Sequence, residues 1–356
     1  MNTPSPFLAT AIGSLPHVSP DEAVNVVLRS IPDCPIWPQL PKRSFHEQME
    51  IQYSEGLPSV VLDGIKGRMY FDTADEDLTG AAVGSFYEKY MAAEQTGDWS
   101  AFNISPDFSA GIFALEKTLS AGGQRPQWIK VQTTGPLTIG LSIVDQNKRA
   151  IYYNEMFRDV LVKAAIAKCR WQIKRFAPFA DGIICFVDEP ILSAFGSSTY
   201  VSVVREDVVS IIGEIAGAIH AAGALCGVHC CGNTEWPILM DAGVDIVNFD
   251  AFGFGESITL YPDQFKKHFE SGKYCAWGLV PTSEKILEQT VDSLIKHYDS
   301  LVDRLAGHGI DRDLIWKQSL ITPSCGTGSL RQELAERVFS LLRETSIALS
   351  SRMGKQ

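Results

Sequence analysis

A histidine and a cysteine stand two residues apart at the end of one apolar run, in residues 228–233 (VHCCGN). The run predicts a β-strand, on which residues i and i+2 point to the same side. We therefore expect His229 and Cys231 to project together and Cys230 to be buried as a small apolar side chain. Imidazole nitrogen and thiolate sulfur are preferred ligands of Zn²⁺, so this segment offers two candidate ligands.

Two later strand ends supply further candidate ligands. Asp250 and Cys325 follow apolar runs, and in a parallel sheet they would reach the same rim as His229 and Cys231. A set of one nitrogen, two sulfurs and one oxygen would complete a zinc tetrahedron or leave one position weakly held for a substrate. The residues alone leave two interpretations open, a zinc site or a buried His-x-Cys pair with Asp250 as a helix cap.

Three other strand ends carry polar groups. Asp188 and Glu189 are adjacent carboxylates that must point in opposite directions, so one can face a pocket while the other pairs elsewhere. A loop carboxylate that caps a helix is the alternative interpretation. Thr134 precedes a Gly-Pro turn, and Ile12 and Ser14 flank a glycine that lets a ligand approach the backbone. For the last two segments the residues alone favour an ordinary strand-ending turn over a binding role.

These residues require a scaffold that brings many strand ends together. Eight short apolar runs alternate with helical patterns, which predicts a single-domain (β/α)₈ barrel with parallel strands. The interval 41–127 is too long for one βα unit, and we interpret it as an inserted, lid-like excursion between strands two and three. The predicted strands cover residues 8–14, 36–40, 128–135, 182–189, 225–231, 245–251, 274–280 and 314–322.

The net charge and the length of the apolar runs disfavour nucleic acids and membranes as binding partners. The 356 residues carry 31 Lys and Arg against 42 Asp and Glu, a net charge of −11 that disfavours nucleic acid as a partner. No apolar run reaches the roughly 18 residues that span a bilayer, and the first residues do not resemble a signal peptide. We therefore expect a cytoplasmic protein without a membrane partner, whose eight cysteines are thiols.

Five motifs in this order resemble a known family. IGSLP, TTGPLT, VDEPIL, HCCGN and SCGTG are similar to the catalytic C-terminal barrel of cobalamin-independent methionine synthase. That barrel belongs to a superfamily with uroporphyrinogen decarboxylase and the corrinoid-linked zinc methyltransferases. The resemblance covers residue 8 to the end of the chain, and His-x-Cys with the late Cys-Gly is its most specific part.

The resemblance implies a role for each matching residue. His229, Cys231 and Cys325 would bind Zn²⁺, with Asp250 in the place of the family's glutamate ligand. Ile12, Ser14 and Asp188 would form a homocysteine pocket in which Asp188 meets the amino group. Gln39 would replace a family glutamate that binds the amino acid, and Thr134 and Glu189 complete the predicted substrate contacts.

The implied activity is a zinc-dependent S-methyltransferase that activates a thiol, homocysteine above all, and releases methionine. Two departures from the family bear on the methyl donor. The chain has no room for the second barrel that helps to hold folate, and WGLVPTSE lacks the family's histidine after strand seven. We therefore expect methylcobalamin or a corrinoid carrier protein as donor rather than folate.

Three other functions stay open. A decarboxylase of the uroporphyrinogen type shares the barrel but uses no metal and needs arginines at its mouth, which the motifs lack. A non-catalytic zinc-binding module would show a closed site that does not respond to thiols. A hydrolase would use Cys231 or Cys325 as nucleophile with His229, and rapid alkylation of one cysteine without metal would reveal it.

Overall fold

The main sheet consists of apolar strands that are buried on both faces. A computed structural model describes residues 3–196 and 203–353. Its strands are β1 (Leu8–Ala9), β2 (Val60–Asp63), β3 (Arg68–Phe71), β4 (Trp128–Thr134), β5 (Gly182–Asp188), β6 (Leu225–Cys230), β7 (Ile246–Phe249), β8 (Tyr274–Val280) and β9 (Ser319–Pro323). Seven of them form one parallel sheet in the order β1-β9-β8-β7-β6-β5-β4, the curled sheet of a barrel.

The segment predicted as the second strand closes this sheet without forming a ladder. Backbone N–H groups of β4 donate to the carbonyl oxygens of Asp33 and Pro35 at 2.9 Å. On the other side, Gln39 exchanges two backbone hydrogen bonds of 2.9 Å with residues 13 and 15. The segment therefore lies between β4 and β1, the place of a second barrel strand. Its prolines lack an N–H group, which explains why only isolated bridges form.

Two predicted strand boundaries are corrected by the structure. The sequence predicts one strand over 314–322, but the first part forms helix α11 (Arg312–Lys317), whose N-terminus is capped by Asp311, and the strand begins at Ser319. Only Leu8–Ala9 of the run 8–14 forms a ladder, because β1 pairs with β9 alone. Apart from the closing segment 36–40, which forms no regular strand, the other five predicted strands lie within two residues of the observed bounds.

Helices cover the outside of the sheet, and most begin at a residue suited to capping. Ser19, Asn154 and Thr290 accept backbone N–H groups at the starts of their helices. The helices are α1 (Pro20–Ser30), α2 (Glu76–Thr96), α3 (Ala110–Ser120), α4 (Pro136–Ser142), α5 (Glu155–Phe176), α6 (Arg205–Ala221), α7 (Pro237–Asp241), α8 (Ala251–Phe254), α9 (Pro262–Glu270), α10 (Val291–Gly307), α11 and α12 (Gln332–Met353).

The excursion 41–127 has its own secondary structure. The hairpin β2–β3 turns at Asp63-Gly64, and α2 begins at Glu76, where the Asp75 side chain caps it. Short 3₁₀ turns and α3 follow and pack on the barrel. None of the helices within residues 3–196 and 203–353 is both long and apolar enough to cross a membrane.

Candidate metal and substrate site

Three of the four predicted metal ligands converge. One ring nitrogen of His229 and the Sγ atoms of Cys231 and Cys325 lie within 4.8 Å of one another, the one such group of His, Cys, Asp and Glu side chains in the described part of the chain. Cys231 and Cys325 are partly exposed, whereas His229 is buried. Cys230 points away and is buried in the main core, as the strand alternation predicts.

The strand ends explain this convergence. His229 lies on β6 and Cys231 directly after it, while Cys325 follows β9 in a loop that is tied to Ser14. The backbone N–H and the hydroxyl of Thr327 both donate to the Ser14 carbonyl oxygen at 2.8 Å. Gly328 N donates to the Ser14 hydroxyl at 3.1 Å, so Ser14 fixes the loop that carries Cys325.

The electrostatics of the cluster favour a thiolate. Contacts with the Cys325 sulfur and the His229 ring lower the pKa of Cys231, although burial opposes this shift. His229 Nε2 is buried and has no hydrogen-bond partner within the described residues. An unpartnered ring nitrogen beside a low-pKa cysteine and a second sulfur is a donor set that fits Zn²⁺.

Asp250, the predicted fourth ligand, does not belong to this cluster. Its carboxylate caps α8 and accepts a hydrogen bond of 2.7 Å from Gly253 N. Burial raises its pKa, and the charges of His229 and Cys231 also act on it, so it lies near the cluster. One of its carboxylate oxygens is already engaged by the helix. Its role as a metal ligand stays a prediction.

A cavity of about 280 Å³ opens beside the cluster. Four of the predicted substrate contacts line it together with the three candidate ligands. Of the lining residues, none is a lysine or arginine, and the walls combine apolar groups with a few polar ones. The wall consists of Ile12, Ser14, Gln39, Pro41, Glu47, Met49, Asp188, Pro190, His229, Cys231, Cys325, Gly326, Gly328 and Ser329.

Asp188 is the charged group best placed to bind a substrate. The residue is only 4% exposed, and Oδ1 has no hydrogen-bond partner within the described chain. Burial raises its pKa, while Lys130 and His229 lower it. Lys130 is itself buried inside the barrel, where Nζ donates to the Ile12 carbonyl oxygen and lies 4.6 Å from the centre of the Phe186 ring. Burial lowers the pKa of Lys130 to about 8.

Glu189 and Thr134 are not among the residues that line the cavity, and their role as substrate contacts stays a prediction. The Glu189 carboxylate accepts the backbone N–H groups of Leu137 and Thr138 at the start of α4, and also the Thr138 hydroxyl at 2.6 Å. It is therefore a helix cap, and burial raises its pKa to about 7. The Thr134 hydroxyl donates to the Met49 carbonyl oxygen at 2.9 Å and supports the cavity wall from behind.

No family model matches the chain, and no curated protein matches its sequence. Its fold is similar to that of a B12-independent methionine synthase from Shewanella sp. W3-18-1 in complex with selenomethionine (TM-score 0.57, 12% identity), covering 99% of this chain and 100% of that one. A methyltransferase from Methanosarcina mazei is similar over 99% of this chain and 95% of its own (TM-score 0.57, 14% identity). At these identities the likeness establishes the fold, and it is of the class that the motifs predict.

Sequence analysis missed several residues that shape the cavity. Glu47 and Met49 reach the wall from the excursion 41–127, where no strand end or known motif marks them. Glu47 is buried and accepts hydrogen bonds from Leu40 N at 3.1 Å and Ala110 N at 3.2 Å, so it joins the excursion to the closing segment. Burial raises its pKa.

The orientation of Gln39 also depends on that excursion. Gln52 Nε2 donates to the Phe108 carbonyl oxygen at 2.7 Å, so Gln52 Oε1 must face Gln39 Nε2, at 2.8 Å. The Tyr53 hydroxyl donates to the Gln132 carbonyl oxygen at 3.0 Å and accepts the second N–H of Gln39 at 3.1 Å. Both N–H groups of Gln39 are therefore engaged, and its Oε1 is available only as an acceptor.

Proposed function

We propose that this protein is a zinc-dependent S-methyltransferase that methylates a small thiol, with homocysteine as the thiol and methionine as the product. The observation that carries the proposal is the convergence of His229, Cys231 and Cys325 on the wall of a cavity that also contains the unpaired carboxylate of Asp188. The fold shared with a methionine synthase and a methyltransferase supports the same class of reaction.

The ligand set suits a metal that activates a thiol. These three residues would hold a zinc ion, which would bind the substrate sulfur and keep it deprotonated at neutral pH, where a thiol with a pKa near 8.5 is mostly protonated. The thiol proton leaves to solvent. The S–CH₃ bond then forms as the bond between the methyl group and its donor breaks, and that bond's electron pair leaves with the donor.

The chain's own residues bind and orient the thiol. Asp188 offers a buried carboxylate to an ammonium group, and Gln39 Oε1 adds an acceptor whose direction is fixed. Ile12, Met49 and Pro190 supply apolar walls that exclude water. The wall has no lysine or arginine among the described residues, which disfavours a polycarboxylate substrate such as a uroporphyrinogen decarboxylase takes.

The size of the cavity bears on the methyl donor. About 280 Å³ lies at the small end of the roughly 300–1,000 Å³ typical of ligand pockets, which suits an amino-acid-sized thiol. A corrinoid or a folate is much larger and would present its methyl group at the mouth. Because the sequence lacks the family's histidine after β8, we propose methylcobalamin or a corrinoid carrier protein as donor.

A methyl-transfer assay on the metal-analysed protein tests this function. Methylcobalamin, a methylated corrinoid protein and methyltetrahydrofolate are each offered with homocysteine or coenzyme M. We expect about one zinc per chain and methionine from a corrinoid donor. Cys231→Ser and Cys325→Ser should lose zinc and activity, whereas the matched control Cys230→Ala, whose side chain faces the core, should keep both.

Three results would contradict the proposal. Activity that survives complete removal of zinc would exclude the metal. Methyl transfer from methyltetrahydrofolate but not from a corrinoid would leave the thiol chemistry intact and overturn the choice of donor. A cobalt-substituted protein whose thiolate-to-metal charge-transfer band does not respond to any thiol would indicate a closed, non-catalytic metal site.

A further inference from the structure

The buried side-chain amide of Asn248, which belongs to none of the sequence motifs, contacts the His229 ring. Asn248 lies on β7 directly beside His229 on β6, and the residue is fully buried. Its Oδ1 is 2.6 Å from His229 Nδ1. The next strand, β8, places Ala276 beside Asn248, so the three residues form one row across the sheet.

The orientation of the Asn248 amide follows from its other partners. Asn248 Nδ2 donates to the Ala276 carbonyl oxygen at 2.7 Å and to Thr322 Oγ1 at 2.9 Å. A backbone carbonyl only accepts hydrogen bonds, so the amide cannot be reversed without placing two oxygens in contact. Asn248 Oδ1 must therefore face His229, and His229 Nδ1 must carry the proton that it donates.

Because the proton of the neutral His229 ring is fixed on Nδ1, Nε2 carries no proton and its lone pair is available to a ligand. His229 Nε2 is buried without a hydrogen-bond partner in the described chain, and the Sγ atoms of Cys231 and Cys325 converge with the ring. A neutral imidazole that is free of such a contact divides its proton between both nitrogens and can rotate about its χ angles. The hydrogen bond to Asn248 fixes both the tautomer and the orientation of the His229 ring before any ligand binds.

We propose that Asn248 is a positioning residue that sets the tautomer and the direction of His229 for metal binding, and that Thr322 in turn fixes Asn248. The inference rests on the proposed function, because it needs a metal at His229. Hydrogen-bond partners of metal-binding histidines typically change metal affinity by roughly 10- to 100-fold. Asn248→Leu, similar in volume but without the amide, should weaken zinc binding by about this factor.

Zinc affinity, measured by competition with a chelator, is compared for the wild type, Asn248→Leu, Asn248→Asp and Thr322→Val. Asn248→Asp keeps an oxygen toward Nδ1 but sets its second oxygen against the Ala276 carbonyl oxygen, so its zinc affinity should lie between those of the wild type and Asn248→Leu. Thr322→Val loosens the amide without removing it and should have a smaller effect than Asn248→Leu. Ser319→Ala, on β9 of the same sheet, is the matched control, because it removes buried hydrogen bonds to Trp277 on β8 and Tyr298 on α10 without touching the cluster.

Two further readouts separate positioning from a merely structural role. In ¹⁵N-histidine-labelled, zinc-free wild type, NMR should show Nδ1 of His229 protonated and Nε2 bare, whereas Asn248→Leu should show both tautomers. Urea unfolding of the zinc-free proteins measures how much each substitution lowers the free energy of unfolding, separately from metal binding. If a variant does not fold, Thr322→Val and the wild-type tautomer still test the inference.

The outcomes distinguish this inference from the function on which it rests. Wild-type protein that binds no zinc would overturn both. Tight zinc binding by wild type and by Asn248→Leu alike, or a wild-type ring with its proton on Nε2, would overturn the role of Asn248 and leave the methyltransferase proposal standing.

Discussion

The two sides of the barrel mouth hold their functional groups in different ways. On the side of β5 to β9, regular strands set the positions, because Asp188, His229 and Asn248 lie in one register across β5, β6 and β7. On the side of residues 33–53, isolated bridges replace the ladder, and side-chain hydrogen bonds orient Gln39. Backbone register therefore positions the side with the candidate metal ligands (the metal side), whereas a side-chain network positions Gln39 on the side with the predicted substrate contacts (the substrate side).

The largest expected effect tests how strongly the ladder constrains the metal side. A Cβ at Gly278, on β8, would overlap the Phe249 carbonyl oxygen and come within 2.9 Å of the Ser324 Cα. Gly278→Ala must therefore push β8 away from the end of β7 and from the residue that follows β9, and we expect a loss of about 3 kcal/mol in the free energy of unfolding. Because Cys325 follows Ser324, zinc affinity should fall as well, as measured by chelator competition.

Gly111→Ala is the matched control on the other side. Its Cβ would overlap the carbonyl oxygen of Pro38 in the closing segment. That segment has few ladder bonds and can shift, so Gly111→Ala should weaken thiol binding through Gln39 while zinc affinity stays unchanged. Equal loss of zinc in both variants would show that the two sides are not independent.

The second prediction concerns Asp188, at the border between the two sides. Asp188→Asn removes the negative charge that would meet a substrate ammonium group, and such charge-assisted hydrogen bonds contribute roughly 2 kcal/mol, or about 30-fold in KM. We expect this rise for homocysteine with little loss of zinc. The des-amino analogue 4-mercaptobutanoate should bind wild type and variant equally, and a 30-fold effect on it would refute the role in amine binding.

The same carboxylate predicts a pH dependence. Burial raises the pKa of Asp188, so protonation, which removes the charge that binds an amine, begins at a higher pH than for an exposed aspartate. The KM for homocysteine should therefore rise as pH falls through this pKa and level off at about the 30-fold increase expected for Asp188→Asn. The ratio of wild-type to Asp188→Asn KM isolates this term, because both proteins share any effect of pH on the metal ligands.

The sequence predicts one side of the mouth much better than the other for a physical reason. Strand alternation and strand ends are local patterns, so the order of residues alone is enough to place His229, Cys231 and Cys325 at one rim. Alternation also requires Asp188 and Glu189 to diverge, but it does not say which of them binds the helix. The folded chain assigns that role to Glu189, which caps α4.

The substrate side depends on contacts between residues far apart in the chain, which produce no periodic pattern in the sequence. Gln132 receives the Tyr53 hydroxyl from 79 residues away, and its own Nε2 donates to the Trp37 carbonyl oxygen across 95 residues. Gln52 and Tyr53, the two partners of Gln39 in the excursion 41–127, have no feature in the sequence that separates them from surface residues. Asn248 is intermediate, because a polar residue two positions before Asp250 on the same strand face is a signal that could have been used.

The smallest expected effect tests the network that directs Gln39. Tyr53→Phe removes one acceptor of the Gln39 amide, and a lost hydrogen bond of this kind contributes roughly 1 kcal/mol, or about fivefold in KM for homocysteine. Zinc affinity should not change, since Tyr53 touches no candidate ligand. Gln52→Leu removes the other partner, so the double variant lets the amide turn and should exceed the sum of the two single effects. Strict additivity would mean that each bond holds Gln39 independently and that the network does not orient its oxygen as a unit.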